Sequence, residues 1–246
     1  MREIKEVAQA IREAKRIVVF TGAGISAESG VPTFRGKDGL WKQYRPEELA
    51  TPQAFARDPK LVWEWYNWRR ELIAPLEPNH GHRFVAALER LCPDLVVVTQ
   101  NIDGLHRKAG STHIEEVHGN IWQVRCTKEG TITENREVPL PEIPPRCPEC
   151  GALLRPNVVW FGEALPQDVW MRALDAASKA DLMLVIGTSA VVYPAAGLPE
   201  NTLAAGGQVV EINPDATPLS GAVTWSLRMA AGEAGRALAE ELGLEI

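Results

Sequence analysis

The chain has 246 residues and a net charge of −6, from 26 Lys and Arg against 32 Asp and Glu. With 45% apolar and 24% charged residues it has a globular composition, which excludes a disordered, collagen-like or coiled-coil chain. No apolar run approaches the ~20 residues that span a bilayer, and the acidic balance disfavours a nucleic-acid backbone as partner.

Residues 2–15 place Ile4, Val7, Ala8 and Ile11 at helical spacing, so an amphipathic helix opens the chain. This stretch is charged and lacks the apolar centre of a secretion signal, so a cytoplasmic protein is expected. Ile17–Phe20 then reads as a buried parallel strand. Similar runs recur at 95–98, 158–161, 182–186 and 209–212, with helical patterns at 79–91, 166–179 and 232–242. Strands alternating with helices predict an α/β fold, a Rossmann-like doubly wound parallel sheet. Two stretches interrupt the rhythm. Residues 38–78 hold short helical pieces punctuated by Pro46, Pro52, Pro59, Pro75 and Pro78. Residues 121–156 carry three cysteines and five prolines between 139 and 148, too Pro-rich for a regular element. The expected organisation is a core of 1–37, 79–120 and 157–246, a helical insertion at 38–78, and a small Cys-containing, zinc-ribbon-like module at 121–156.

The first strand runs into Thr21-Gly22-Ala23-Gly24-Ile25-Ser26-Ala27, and Gly22, Gly24 and Ala27 fit G-x-G-x-x-G/A. Glycines there let a pyrophosphate approach backbone amides; a purely structural Gly-rich turn is the other reading. A dehydrogenase would place an acid about 20 residues on, at the end of a second strand. Glu47 and Glu48 lie at that distance but in the Pro-punctuated insertion, so hydride transfer is disfavoured. His118 follows a Gln100-Asn101-Ile102-Asp103 cluster that ends an apolar strand, where open α/β sheets bind ligands. An imidazole there can act as a base near neutral pH, although a lone His near a strand is more often structural. For the cluster itself the bland reading is a polar turn with Asp103 as an N-cap. Tyr66 and Arg69, three apart on a predicted helix, share one face; a solvated surface is the alternative, and Arg70 beside them is expected to be solvated.

The turn continues as G22-A-G-I-S-A-E-S-G-V-P-T-F-R35, followed by T99-Q-N-I-D103, H118-G-N120, C147-x-x-C150, R155-P-N-V-V-W-F-G-E163, G187-T-S189 and E211-I-N213. In this order the motifs resemble the sirtuin family of NAD-dependent protein lysine deacylases, over residues 16–235. The resemblance implies that NAD is consumed, that acyl-lysine peptides or proteins are the partners, and that nicotinamide and O-acyl-ADP-ribose are products. It implies His118 as catalytic base and Asn101 as the group that orients a ribose or water. Gly22, Ala23, Gly24, Ser26, Phe34, Arg35, Gln100, Asn101, Ile102 and Asp103 would face NAD, with Gly187, Thr188, Ser189 and Asn213 on its adenosine side. Val159, Trp160, Phe161 and Gly162 would pair with a substrate peptide; the alternative is ordinary core.

Y-x-x-R at Tyr66 and Arg69 resembles the branch that removes succinyl and malonyl groups, since a guanidinium fork holds a carboxylate bidentately. Ala50 matches that branch's small residue, which leaves room for the acyl chain. Acetyl removal is expected as well. ADP-ribosyl transfer or NAD hydrolysis on the same scaffold is the alternative, and a non-catalytic NAD sensor a weaker one. Sirtuins carry two C-x-x-C pairs around one zinc. Here Cys126, Cys147 and Cys150 are present, but position 129 is Glu129 and Cys92 lies in the core. Three arrangements stay open: zinc on three thiolates with Glu129 or water, a disulfide, or no metal. A monomer is expected.

Overall fold

The computed structural model describes residues 2–33, 40 and 45–246. Phe34 and Arg35 lie outside the described residues. A six-stranded, all-parallel sheet forms the core, in the order β3-β2-β1-β7-β8-β9. Its strands are β1 (Ile17–Thr21), β2 (Leu95–Thr99), β3 (Ile114–Glu116), β7 (Leu182–Ile186), β8 (Gln208–Ile212) and β9 (Trp225–Leu227). The continuous apolar runs are explained by helices on both faces. Ile17 and Val19 face α1 (Arg2–Glu13), α5 (His80–Leu91) and α9 (Ala231–Leu242), through Val7, Ile11, Phe84, Leu88 and Leu238. Val18 and Phe20 point the other way, against α7 (Gln167–Lys179) and α8 (Leu198–Ala204). Each such aliphatic side chain contributes about 1.5–3 kcal/mol when fully buried. Among the described residues no helix is long and apolar enough to cross a membrane.

The order carries a topological switch. From β1 the chain moves to β2 and β3 on one side, and it returns as β7 and β8 on the other. The carboxyl ends of β1 and β7 therefore diverge into a crevice, where open α/β sheets bind ligands.

Two expectations are corrected. The 158–161 run is not a parallel core strand. β6 is Leu154–Val158, and it pairs antiparallel with β4 (Gly119–Cys126), which also pairs with β5 (Ile132–Glu134). The Pro-rich module thus contains a regular three-stranded sheet. Its prolines from 139 to 148 cluster between β5 and β6, so the ladder loses no donor to most of them; Pro156 alone lies in a strand.

In the helical insertion the prolines start helices, being placed first in α2 (Pro46–Leu49), α3 (Pro52–Arg57) and α4 (Pro59–Ile73). Thr51 and Asp58 cap α3 and α4 by accepting from the Ala54 and Leu61 amides. The insertion and the small sheet share one core, in which Phe55, Trp63 and Tyr66 meet Ile121, Trp122, Val124 and Trp160. Arg70 is fully buried there, contrary to its expected solvation. Its Nε donates to the Ile121 carbonyl at 2.9 Å and its Nη1 to Asn135 Oδ1 at 2.7 Å. The Trp63 and Trp122 rings flank its guanidinium at 5.6 and 5.8 Å. Burial pushes its pKa down to about 10.

The sheet halves are joined at their ends by backbone. Gly24 N donates to Gly187 O at 2.7 Å, and Gly22 N to Ile186 O at 3.1 Å. Gly187 sits at φ +62°, and a Cβ there would lie 2.3 Å from Ile25 N. We expect Gly187→Ala to lower unfolding stability by about 3 kcal/mol, whereas Gly221→Ala, which meets open space, stays within about 1 kcal/mol of wild type. Urea unfolding checks this, and equal losses in the two variants would contradict it.

Candidate functional site

The crevice is built from three turns that follow β1, β2 and β7. After β1 comes a short 3-10 segment, Ala23–Ser29, rather than a regular α-helix. Its Ser26 hydroxyl is buried and donates to Asp103 Oδ2 at 2.8 Å. Asn101 Nδ2 donates to Gly22 O at 3.0 Å and to Ser26 Oγ at 3.3 Å. The other Asp103 oxygen accepts from the Leu105 amide at 2.9 Å, so this carboxylate meets the first amide of α6 (Leu105–Ala109) while also holding Ser26, although the N-cap position itself is Gly104 and not Asp103. Trp122 Nε1 donates to the Asp103 carbonyl at 2.7 Å. Burial pushes the Asp103 carboxyl above its usual range, against the hydrogen bonds that pull it down.

Behind these groups lie side chains that sequence reasoning missed. His82 Nδ1 accepts from the Asn79 amide within the capping box of α5. Its Nε2 therefore carries the proton and donates to Ser26 Oγ at 3.3 Å. His106 Nε2 lies 2.9 Å from Thr21 Oγ1, which donates to Thr99 Oγ1. Burial holds both imidazoles neutral, with pKa values pushed down to about 2 for His82, helped by repulsion from His106, and to about 4 for His106. The sequence signal available was Asn79 three residues before His82, a capping-box spacing. Its consequence, a neutral histidine under Ser26, depends on the fold.

Gln100 bridges two of the turns, its Nε2 donating to Thr188 Oγ1 at 2.9 Å. Asn213 Nδ2 donates to the Thr188 carbonyl at 2.9 Å. Ser189 is exposed beside them, and Ile102 accepts the Ile121 amide through its carbonyl. His118 is half-buried, with Nδ1 3.1 Å from the Gln100 carbonyl. A carbonyl only accepts, so Nδ1 carries the hydrogen and Nε2 keeps its lone pair. Burial lowers this imidazole's pKa, opposed by the Gln100 hydrogen bond. Gly22, Ala23, Gly24, Ser26, Gln100, Asn101, Asp103, His118, Gly187, Thr188 and Asn213 thus converge on one crevice. The backbone contact at Gly22 and Gly24 leaves no space for Cβ atoms, and the polar groups around it suit a dinucleotide.

On the other side of His118, its carbonyl accepts the Val159 amide at 2.9 Å, and the Ala50 carbonyl accepts the Phe161 amide at 3.0 Å. Val159 is half-buried and Trp160 buried, while Phe161 and Gly162 are exposed. The four are not a strand but an extended turn after β6. Trp160 Nε1 donates to the Tyr66 hydroxyl at 3.0 Å. Arg69 is buried, its guanidinium 5.1 Å from the Trp65 ring centre and within the fields of Tyr66 and Asp103. Burial pushes the Arg69 pKa down and that of Tyr66 up to about 12. Ala50 packs in the same cluster as Tyr66 and Trp160.

The Cys126, Cys147 and Cys150 sulfurs lie within 4.8 Å of one another. All are free thiols, and the 3.5 Å between Cys126 and Cys150 overturns the disulfide reading for this structure. A tetrahedral zinc at about 2.3 Å from each sulfur needs separations near about 3.8 Å, so these donors fit three of its four positions. Glu129 does not join them; its amide donates to Cys126 Sγ, and its carboxylate pairs with Lys128 at 3.3 Å. Cys92 is buried in the core.

Comparison with known proteins agrees with the geometry. The Sir2 family model matches residues 22–194. An Aquifex aeolicus NAD-dependent protein deacylase is 57% identical over 208 residues, 85% of this chain and 87% of its own. A Sir2 homologue in complex with ADP-ribose superposes with a TM-score of 0.91 at 50% identity, covering 98% of both chains. A Sir2 protein in complex with a p53 peptide and NAD+ gives 0.87 at 36% identity, again covering 98% of both. With a glycine-lined crevice at the switch point, a histidine beside it and these relatives, the chain belongs to the Sir2 family.

Proposed function

We propose that this protein is an NAD-dependent protein lysine deacylase that removes succinyl and malonyl groups, and acetyl groups as well. The observation that carries the reading is the crevice at the ends of β1 and β7, with His118 on its rim. NAD supplies the electrophilic ribose carbon and the nicotinamide leaving group. The turn from Gly22 to Ser26 would cradle the phosphates, with Phe34 and Arg35 assigned there from sequence alone. Thr188, Ser189 and Asn213 would line the adenosine side, and Gln100 and Ile102 the reacting side. Asn101 and Asp103, held by Ser26, would orient the ribose and the carboxamide. His118 Nε2 would take a proton from a ribose hydroxyl, since Nδ1 is occupied by the Gln100 carbonyl. Val159–Gly162 would receive the substrate backbone by strand addition. The partner is an acyl-lysine segment of a protein, and the working unit is a single cytoplasmic chain. The division of labour follows the sheets: residues 1–37, 79–120 and 157–246 for NAD, 38–78 for the acyl group, and 121–156 as the metal module.

The acidic-acyl preference rests on Tyr66 and Arg69. Two adjoining buried polar groups on one face of α4, beside Ala50 and Trp160, suit a carboxylate entering from the peptide side. Cys126, Cys147 and Cys150 would hold a structural zinc that ties the strands of the small sheet to the loop before β6.

Three outcomes check these assignments. His118→Ala is expected to lower kcat/KM by about 10²–10⁴-fold. In the wild type, kcat/KM should fall with acid only as pH drops through an imidazole pKa below 6.5, because the neutral form is the base. A limb centred above pH 7 would exclude His118 as that base. Arg69→Met should reduce desuccinylation about 10–100-fold relative to deacetylation, the worth of a charge-assisted hydrogen-bond pair; an unchanged ratio removes Arg69 from the acyl pocket. Elemental analysis of purified protein should give about one zinc per chain, and severalfold less in Cys150→Ser. Metal-free wild type would exclude the zinc.

A further inference from the structure

Beside the peptide edge lies a cavity of about 530 Å³ whose lining includes two of the assigned residues, Trp160 and Cys126. Its walls include Pro52 and Phe55 from α3, Arg125 near the end of β4, Lys128 and Glu129 from the turn after β4, Arg155 from β6, and Trp160 from the turn that follows β6. Three cations against one lining carboxylate, Glu129, are a local exception in a chain of net charge −6.

Arg125 and Arg155 are directly opposed partners in the antiparallel β4–β6 pair. Directly opposed side chains share a face, and like charges there destabilise the pair. Arg155 is neutralised. Its Nη1 and Nη2 donate to the two Glu163 oxygens at 2.6 and 2.8 Å, and its guanidinium stacks 3.6 Å from the Trp160 ring centre. Glu163 is further committed to the Trp160 amide at 2.8 Å. Lys128 pairs with Glu129 at 3.3 Å. Arg125 is different: among the described residues its side chain has no hydrogen bond and no ion pair. Its guanidinium is half-buried opposite a second one, and the carboxylates near it, Glu163, whose field reaches it, and the cavity-lining Glu129, are committed to Arg155 and Lys128, which leaves its ion pair incomplete.

We infer that this cavity is a specificity subsite that receives an acidic side chain of the protein substrate, with Arg125 as its counter-charge. The inference rests on the peptide-binding reading of Val159–Gly162. The reason for a substrate carboxylate is continuity. Trp160 both lines the cavity and belongs to the turn assigned to the peptide, and Ala50, which accepts the Phe161 amide, lies two residues before the lining Pro52. A peptide strand on that turn therefore carries its neighbouring side chains past Arg125. Phe55, 5.3 Å from Trp160, and Pro52 give the stem of a Glu apolar walls.

The test scans Glu through the four positions on either side of an acyl-lysine in a labelled peptide, against Ala at the same positions. Binding is read by fluorescence anisotropy and turnover by kcat/KM with NAD. In wild type, Glu at one or two positions should tighten binding and raise kcat/KM about fivefold, the worth of a partly buried ion pair. Arg125→Gln should erase that advantage and leave the Ala peptide within about twofold, and Arg125→Glu should favour Lys at the same position. No Glu position exceeding a twofold effect, or an advantage that survives Arg125→Gln, would overturn the inference. So would Arg125-dependent thermal stabilisation by acetate or phosphate without any peptide preference, which would make this a small-anion site. If the Glu advantage in binding persists while no peptide is turned over, the deacylase reading fails and the subsite stands.

Discussion

The approach of the turn after β1 to the turn after β7 is the constraint on which the rest of the site depends. At Gly22, Gly24 and Gly187, backbone lies against backbone, with one hydrogen bond of 2.7 Å and no space for a Cβ. Glycine in the first turn is commonly explained by access for a phosphate. Here the same residues also let two strands that diverge in connectivity remain adjacent at their carboxyl ends. Both roles follow from the missing side chain, and they do not compete. The crevice is open because the strand order reverses there, and it is rigid because its floor is main chain.

The polar groups above that floor are held by one another before any ligand arrives. Ser26 accepts from His82 and Asn101 and donates to Asp103, so each hydroxyl lone pair and proton is committed. Two neutral histidines behind it carry no charge that would demand solvent. Preorganisation of this kind avoids reorganising dipoles during a reaction that develops charge. His118 follows the same logic, since the Gln100 carbonyl selects the tautomer that leaves Nε2 basic.

A second constraint joins the two insertions. Arg70 is a charge in an apolar core, and such a charge is tolerated only when hydrogen-bonded and stacked. By donating to a β4 carbonyl and lying between Trp63 and Trp122, it ties α4 to the small sheet. Tyr66 and Trp160 meet in this shared core, and the half-buried Arg125 lines the cavity between α3 and the small sheet. Insertions far apart in the chain behave as one wall because their aromatic faces could not be buried separately.

The sheet strands and the long helices were legible in the amino-acid sequence, because a strand covered on both faces must be apolar throughout and a surface helix must show a 3.6-residue period. The ordered motifs carried the family in the same way, since a glycine turn and its polar neighbours are local in the chain. Arg70 was not legible: nothing in W-R-R-E distinguishes a solvated arginine from a buried one, and only the tryptophans and carbonyl brought from β4 decide it. The run at 158–161 misled because an apolar stretch does not state which sheet it joins, and antiparallel pairing with β4 is a long-range choice. The Cys-rich module reads as irregular chain in sequence because its prolines, gathered in the loop between β5 and β6, outweigh the short strands on either side. Sequence by itself determined the element types, the family and the chemistry available. Tertiary structure alone decided which charges are matched, which imidazoles are neutral and which thiols meet, because burial and pairing are properties of neighbours that the chain brings together only on folding.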